Sequence, residues 1–196
     1  MKHAQGYTLI ELMVLVAVIA IVLAVGAPRL SVFFDGNRMV SNTNALVSAI
    51  QIARSEAIKR GNRVTLCKSA NADAATPSCT TAGDWDQGWV VYSEEDNNIG
   101  QYNSSSDGDV LRRQVGVEGA STTITTPDAS IANYVSFTSR GVPKTASGAA
   151  QSGLFRICDD RGLTNAAGAV IARGVVLSAS GRVRLSKNQN VIGACP

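Results

Sequence analysis

The residues best suited to ligand chemistry in this chain are arginines close to its C-terminus. Arg182 and Arg184 follow Gly181, and Lys187 comes shortly after them. A guanidinium presents several donors in a fixed plane and carries a charge that does not titrate, which suits phosphate oxygens. The sequence therefore predicts a phosphate-binding site at Gly181, Arg182, Arg184 and Lys187. The alternative is two solvent-facing arginines in a hairpin whose role is only structural.

A β-hairpin is the element expected to position these arginines. Residues 179–181 form a three-residue loop with glycine in its last place, which is a common hairpin connection. Side chains alternate along the strand that follows, so Arg182 and Arg184 share one face, about 6.7 Å apart, and Val183 and Leu185 share the other. If the apolar face points inward, both guanidiniums point outward together.

The charge distribution favours the same end of the chain as a polyanion site. The 196 residues carry a net charge of only +3, but residues 1–83, 84–128 and 129–196 carry +4, −7 and +6. A basic C-terminal third attracts polyanions, although a solvated mixed surface would also fit these charges. Phe155 is the only aromatic residue after position 138, so stacking on bases is not expected. Binding would use the phosphate backbone, without sequence preference and with a strong dependence on salt.

The four cysteines are typical of an exported domain that is oxidised in the bacterial periplasm. Cys67, Cys79, Cys158 and Cys195 allow three pairings. Proximity along the chain favours Cys67 with Cys79 and Cys158 with Cys195. No two cysteines have the Cys-x2-Cys spacing of a zinc site, so we expect no metal.

An apolar helix begins the chain. Residues 12–27 contain no charge, and residues 7–27 would form a helix about 31 Å long, enough to cross a bilayer. Glu11 argues against a cleaved secretory signal, because a carboxylate in an apolar helix is expensive and usually has a partner. A sparser apolar stripe continues the helix, and Lys59, Arg60 and Gly61 are a typical helix end. The sequence predicts one helix over residues 7–60.

The rest of the chain changes to the pattern of short strands separated by turns. Apolar and β-branched runs alternate with turns rich in Gly, Asn, Asp and Ser. The fold class expected is α+β, with a long N-terminal helix packed on an antiparallel β-sheet pair in a head at residues 61–196. The predicted strands lie at residues 63–67, 88–92, 110–115, 121–125, 134–138, 154–158, 174–178 and 182–185.

The run GYTLIEL at residues 6–12 resembles the class III leader and first helix of type IV pilins and type II secretion pseudopilins. The resemblance implies a leader at residues 1–6, cleavage after Gly6 by a prepilin peptidase, and N-methylation of Tyr7, where the family usually has Phe. A new amine at Tyr7 would lie one helical turn from Glu11, and this carboxylate could pair with it or with a neighbouring subunit's amine during assembly.

Motifs in the head extend the resemblance to nearly the whole chain. The runs DWDQGWVVY at 84–92, FTSRG at 137–141 and GRVR at 181–184 are similar to the pseudopilin H and FimT/FimU group of minor pilins. The last run resembles the motif with which FimT-type minor pilins bind DNA in natural transformation. We favour packing in the core over ligand stacking for Trp85 and Trp89.

The resemblance implies a structural and binding role. Expected partners are other minor and major pilins, the prepilin peptidase, the inner-membrane assembly platform, the membrane through residues 7–27, and DNA. The location would be the bacterial inner membrane with a periplasmic head, then the pilus. A purely structural minor pilin and an H-type secretion pseudopilin remain alternatives.

An enzyme is not expected. His3, the single histidine, would be lost with the leader, which excludes histidine-dependent triads and zinc-protease sites, and no phosphate-binding glycine loop is present. The acidic runs at residues 94–96 and 107–109 suit turns and solvation; calcium binding is the alternative, although the runs lack the spacing of an EF-hand. No cofactor is expected.

Overall fold

A computed structural model of the chain describes residues 8–95, 99–103, 105–117, 122–165 and 167–195, with the side chains of residues 25–31 left aside. Its residues divide into two compact units, Met1–Asn37 and Arg38–Pro196. Helix α1 (Leu9–Arg60) is one continuous element. The second unit therefore includes the C-terminal part of the helix, from Arg38 onward.

The helix in the second unit is held by an apolar stripe. Leu46, Ile50, Ala53 and Ala57 are fully buried at spacings of three and four residues, which puts them on one helical face. The helix ends before Gly61, whose φ of 68° is in the left-handed region that favours glycine. The predicted helix end is confirmed.

Within the described residues, eight strands form two four-stranded antiparallel sheets, which confirms the predicted α+β class. The first sheet has the order β3-β2-β1-β5 and the second β4-β6-β7-β8. The strands are β1 (Val64–Lys68), β2 (Gly88–Ser93), β3 (Val110–Val115), β4 (Thr123–Thr125), β5 (Tyr134–Phe137), β6 (Gly153–Cys158), β7 (Arg173–Leu177) and β8 (Val183–Ser186). A short helix that the sequence did not predict, α2 (Gln189–Ile192), follows β8.

One hydrophobic core joins the helix to both sheets. It contains the apolar face of α1, inward residues of both sheets such as Leu66 and Val175, and both tryptophans. Trp85 packs edge-on against Phe155, with ring centroids 5.2 Å apart. Trp85 and Trp89 are buried at 0% and 1% exposure, as expected of core aromatics.

Candidate polyanion-binding surface

The turn between β7 and β8, residues 178–182, carries the predicted arginines; we call it the C-terminal turn. The amide of Ser178 donates to the carbonyl of Arg182 at 2.9 Å, and the amide of Gly181 donates to the carbonyl of Ser178 at 2.8 Å. The hydroxyl of Ser178 accepts from the amide of Arg182 at 3.0 Å. Gly181 has a φ of 77°, in the left-handed region that residues with a side chain rarely adopt. The predicted hairpin connection is therefore present, and its backbone is fixed by local hydrogen bonds.

Arg182 and Arg184 are exposed and share one concavity. Arg184 lies opposite Val176 in the β7–β8 pairing, and both arginines line a hollow of about 430 Å³ together with Ser178 and Ser180. Within the described part of the chain, no carboxylate forms an ion pair with either arginine. Both guanidiniums are thus available to an anionic ligand.

Leu185 is only partly covered. It pairs with the buried Val175 on the inward side of the sheet, yet 55% of it is exposed. β8 is the last strand of its sheet, and Leu185 opens into a groove of about 420 Å³ whose other wall is α1, at Val40 and Thr43. Leu185 therefore stays partly open to solvent, because the helix does not close over the sheet edge.

Lys187 is not placed with the arginines. It lines the same groove as Leu185, together with Arg173, and it follows the alternation of β8 onto the face opposite Arg182 and Arg184. The structure therefore brings two of the three predicted cations to one hollow and puts the third at another.

Gly181 lies beneath the surface. It is buried, and its carbonyl accepts a hydrogen bond from Nη1 of Arg54, on α1, at 2.8 Å. A Cβ at Gly181 would collide with the carbonyl oxygen of Gly141. The glycine therefore fixes the position of the arginines by its contacts, and its burial does not suit it to touch a ligand. The sequence pattern, by contrast, predicts Gly181 as part of the binding site together with the arginines.

The N-terminal site residues are only partly described. Gly6 and Tyr7 lie outside the described residues. The predicted membrane span at 7–27 therefore has its first residue outside the described part, and the side chains of its last residues, 25–27, are not described. Glu11 is exposed in the first turn of α1, where its amide donates to Thr8 Oγ1 at 3.3 Å. Among the described residues, no helix has the length and apolarity needed to cross a membrane.

Two disulfide bonds hold the ends of the head. They join Cys67 to Cys79 and Cys158 to Cys195, which are the pairs expected from proximity. The second bond ties the tail beyond β8 to the end of β6, so the strand that carries Arg184 is anchored on both sides.

The acidic loop is organised by its own hydrogen bonds. Asp107 accepts from the amides of Glu95 at 3.2 Å and Asn103 at 2.7 Å, and the buried Glu94 accepts from Thr65 Oγ1. Burial raises the pKa of Tyr92, and the neighbouring Glu94 raises it further. In the parts of the chain that are described, no three acidic, histidine or cysteine side chains come together as a metal site.

Comparison with known proteins identifies the scaffold. Residues 42–181 match the family described as type II transport protein GspH, and residues 1–27 match the prokaryotic N-terminal methylation motif. The structure is similar to a crystal structure of the type IV minor pilin FimU from Pseudomonas aeruginosa, with 21% identity, a TM-score of 0.52, and coverage of 79% of this chain and 92% of that one. A second crystal form of FimU gives 20% identity, a TM-score of 0.48, and coverage of 74% and 90%.

No curated protein matches this chain. The family match covers more than half of the chain and includes most of the core, and the likeness to FimU shows the type IV pilin fold. The chain belongs to the GspH family, within the GspH/FimT/FimU group of minor pilins and pseudopilins.

Proposed function

We propose that this protein is a minor pilin of a type IV pilus that binds DNA through Arg182 and Arg184 for uptake in natural transformation. The observation that carries the DNA role is the pair of exposed guanidiniums in one hollow, without a carboxylate partner among the described residues. Two such forks can engage successive phosphates, and nothing at this surface would distinguish bases. Binding is therefore independent of sequence.

The N-terminal segment supports assembly into the filament. In this proposal the prepilin peptidase cleaves after Gly6, Tyr7 is N-methylated, and residues 7–27 hold the subunit in the inner membrane until the assembly platform extracts it. Glu11 then pairs with the amine of Tyr7 or of a neighbouring pilin in the priming complex. The match to the methylation motif supports this step. A Gly6→Ala variant is expected to keep its precursor mass in mass spectrometry, and a processed mass would contradict the proposed cleavage.

DNA binding is tested by titrating the full chain, in detergent, with a short fluorescent duplex at several salt concentrations. If two to four phosphates are engaged, the logarithm of the affinity falls against the logarithm of salt with a slope of about −2 to −4. The Arg182→Ala, Arg184→Ala double variant is expected to lower the magnitude of this slope by about 2. Arg112→Ala is the matched control, since Arg112 is also exposed on a strand but lies on the other sheet. Equal binding by the double variant would refute the role of these arginines.

A type II secretion pseudopilin is the second candidate, and the family description favours it. In that case, or if the protein is a purely structural minor pilin, the head contacts other pilins and the arginines are surface residues. The native chain would then fail to bind the duplex at low salt. For all three candidate functions, we infer that the protein has a structural and binding role without catalytic activity, consistent with a family of pilins and pseudopilins.

A further inference from the structure

The C-terminal turn is one of four turns with the same construction in the described part of the chain. Residues 138–142, 145–149, 165–169 and 178–182 read TSRGV, TASGA, NAAGA and SASGR. In each, the first amide donates to the fifth carbonyl and the glycine amide donates to the first carbonyl, at 2.8–3.0 Å. The four glycines have φ angles from 72° to 85°. We call residues 138–142 the central turn.

Two of these four turns contact each other through their glycines. A Cβ at Gly181 would collide with the carbonyl of Gly141, so the central and C-terminal turns are in direct backbone contact. A Cβ at Gly148 or Gly168 would meet no described atom within 4 Å, and the turn at residues 145–149 is held instead by the amide of Ala146, which donates to Tyr134 Oη at 3.2 Å. The two docked turns are also the two that carry arginine, whereas the other two carry no charge.

Arg54, on α1, lies against both docked turns. Its Nη1 atom donates to the carbonyl of Gly181 at 2.8 Å, and its Nε atom lies 3.2 Å and 3.3 Å from the positions that a Cβ would take at Gly141 and Gly181. One side chain of α1 therefore touches a turn that leaves the first sheet and a turn that belongs to the second. Arg54 is half-buried, and through it the helix helps to set the relative position of the two turns.

The central turn adds cations to the surface. Arg140 precedes Gly141, and Arg182 follows Gly181, so their Cα atoms lie no more than about 14 Å apart. Arg140 and Lys144 are exposed and line a hollow of about 270 Å³ next to this contact. The described carboxylates form no ion pair with either of them. Residues 129–196 contain only two acidic side chains, Asp159 and Asp160.

We propose that the central turn is the second half of the polyanion-binding surface, and that Arg140 and Lys144 contact the same phosphate backbone as Arg182 and Arg184. The proposal rests on the DNA binding proposed above and extends its site to a second turn. Arg54 acts as a positioning residue, because it fixes the turns while its own guanidinium is occupied by a carbonyl. Four cations on two docked turns correspond to a salt slope of about −3.6.

The test compares three variants of the full chain in the duplex titration. Arg140→Ala, Lys144→Ala is expected to weaken binding about 100-fold near 50 mM salt and to lower the magnitude of the slope by about 1.8, since each contact contributes about 0.9. Arg54→Gln is expected to weaken binding with the slope unchanged, and Arg54→Lys to restore part of the affinity. Arg112→Ala is the control and should behave as the native chain does.

The possible results separate this inference from the proposed function. If loss of Arg140 and Lys144 leaves affinity and slope unchanged while loss of Arg182 and Arg184 abolishes binding, the second turn is not part of the site and the proposed function stands. If the native chain does not bind DNA, both proposals fail. Thermal unfolding checks that the Arg140→Ala, Lys144→Ala variant is folded; because both side chains are exposed, its melting temperature should equal that of the native chain.

Discussion

Replacing Gly181 with alanine, in parallel with the same change at Gly148, separates the cost of forming a turn from the contribution of docking it. Both glycines occupy the same position in identical turns, with φ angles of 77° and 85°. They differ in their surroundings, because a Cβ at Gly148 meets open space and one at Gly181 meets the carbonyl of Gly141. Any extra destabilisation at Gly181 is therefore due to its packing, which is tightest against the carbonyl of Gly141 and closer than usual against Arg54 and Phe137.

The expected magnitudes follow from these contacts. An alanine in the left-handed region costs about 1–2 kcal/mol, and the lower entropy of the unfolded chain returns about 0.4–1 kcal/mol. Gly148→Ala should therefore lower the free energy of unfolding by about 1 kcal/mol. At Gly181 the turns must also move apart, and such overpacking typically costs about 1–3 kcal/mol more. If Gly181→Ala costs about 2 kcal/mol more than Gly148→Ala, its melting temperature should be lower by about 4–8 °C.

The assay is thermal unfolding followed by near-ultraviolet circular dichroism, which reports on the buried Trp85 and Trp89. The same samples are then titrated with duplex DNA. We expect Gly181→Ala to lose affinity, since the two halves of the surface separate, and Gly148→Ala to bind as the native chain does. Equal losses of stability in the two variants would refute the inference that docking of the turns stabilises the head.

Three further predictions concern the rest of the head. Burial raises the pKa of the Asp86 carboxyl above its ordinary 3.8. The folded protein is therefore destabilised by the ionised carboxylate at pH values above the pKa in the folded state. Asp86→Asn should unfold at a higher temperature than the native chain at pH 7, and this difference should disappear below about pH 4, where the carboxyl is protonated in both states. Cys195→Ser removes the bond to Cys158, across a sequence separation of 37, and should lower the free energy of unfolding in urea by about 4 kcal/mol in the chain-entropy model. Leu46→Ala, at a fully buried site, should cost about 2–5 kcal/mol in the same assay, whereas Val40→Ala, at a site 42% exposed, should cost less than about 1 kcal/mol.

Local features of the fold could be predicted from the sequence because local physics decides them. The helix end depends on Gly61 and its preceding cations, and the eight strands depend on apolar runs bounded by turn residues. The alternation along β8 correctly placed Arg182 and Arg184 on one face, since the period of a strand is two. Predicted strand bounds differ from the observed ones by one or two residues at most, as at β4, which begins at Thr123 rather than at residue 121.

The remaining features depend on tertiary contacts that a single sequence does not contain. Leu185 has the pattern of a covered residue, but whether the helix reaches it depends on how α1 crosses the sheet edge. The same holds for Ile58, an apolar residue near the end of α1 that is 52% exposed. Lys187 is close to Arg184 along the chain, yet its position directly after β8 puts it in a different hollow.

The sequence pattern identifies the four turns, but it does not show which two of them are docked on each other. The four turns share the pattern of Ser, Thr or Asn followed by glycine three positions later, and nothing local distinguishes Gly141 and Gly181 from Gly148 and Gly168. Only the fold brings residues 40 positions apart into contact through Arg54. The charges on the docked turns could be read from the sequence, but their proximity could not.

The family match ends at Gly181, and this divides the hairpin into two parts with different physical roles. The matched part includes Gly181 and the central turn, whose contact with Arg54 is made by backbone atoms and needs no particular side chain beyond the glycines. Arg182 and Arg184 lie just outside the match. Any other pair of side chains at these positions would leave the backbone contact unchanged, so the scaffold can serve a pilin that does not bind DNA. Whether this chain binds DNA therefore depends on the side chains that the two turns display, and the titration of their arginine variants, rather than a comparison of folds, distinguishes the two proposed functions.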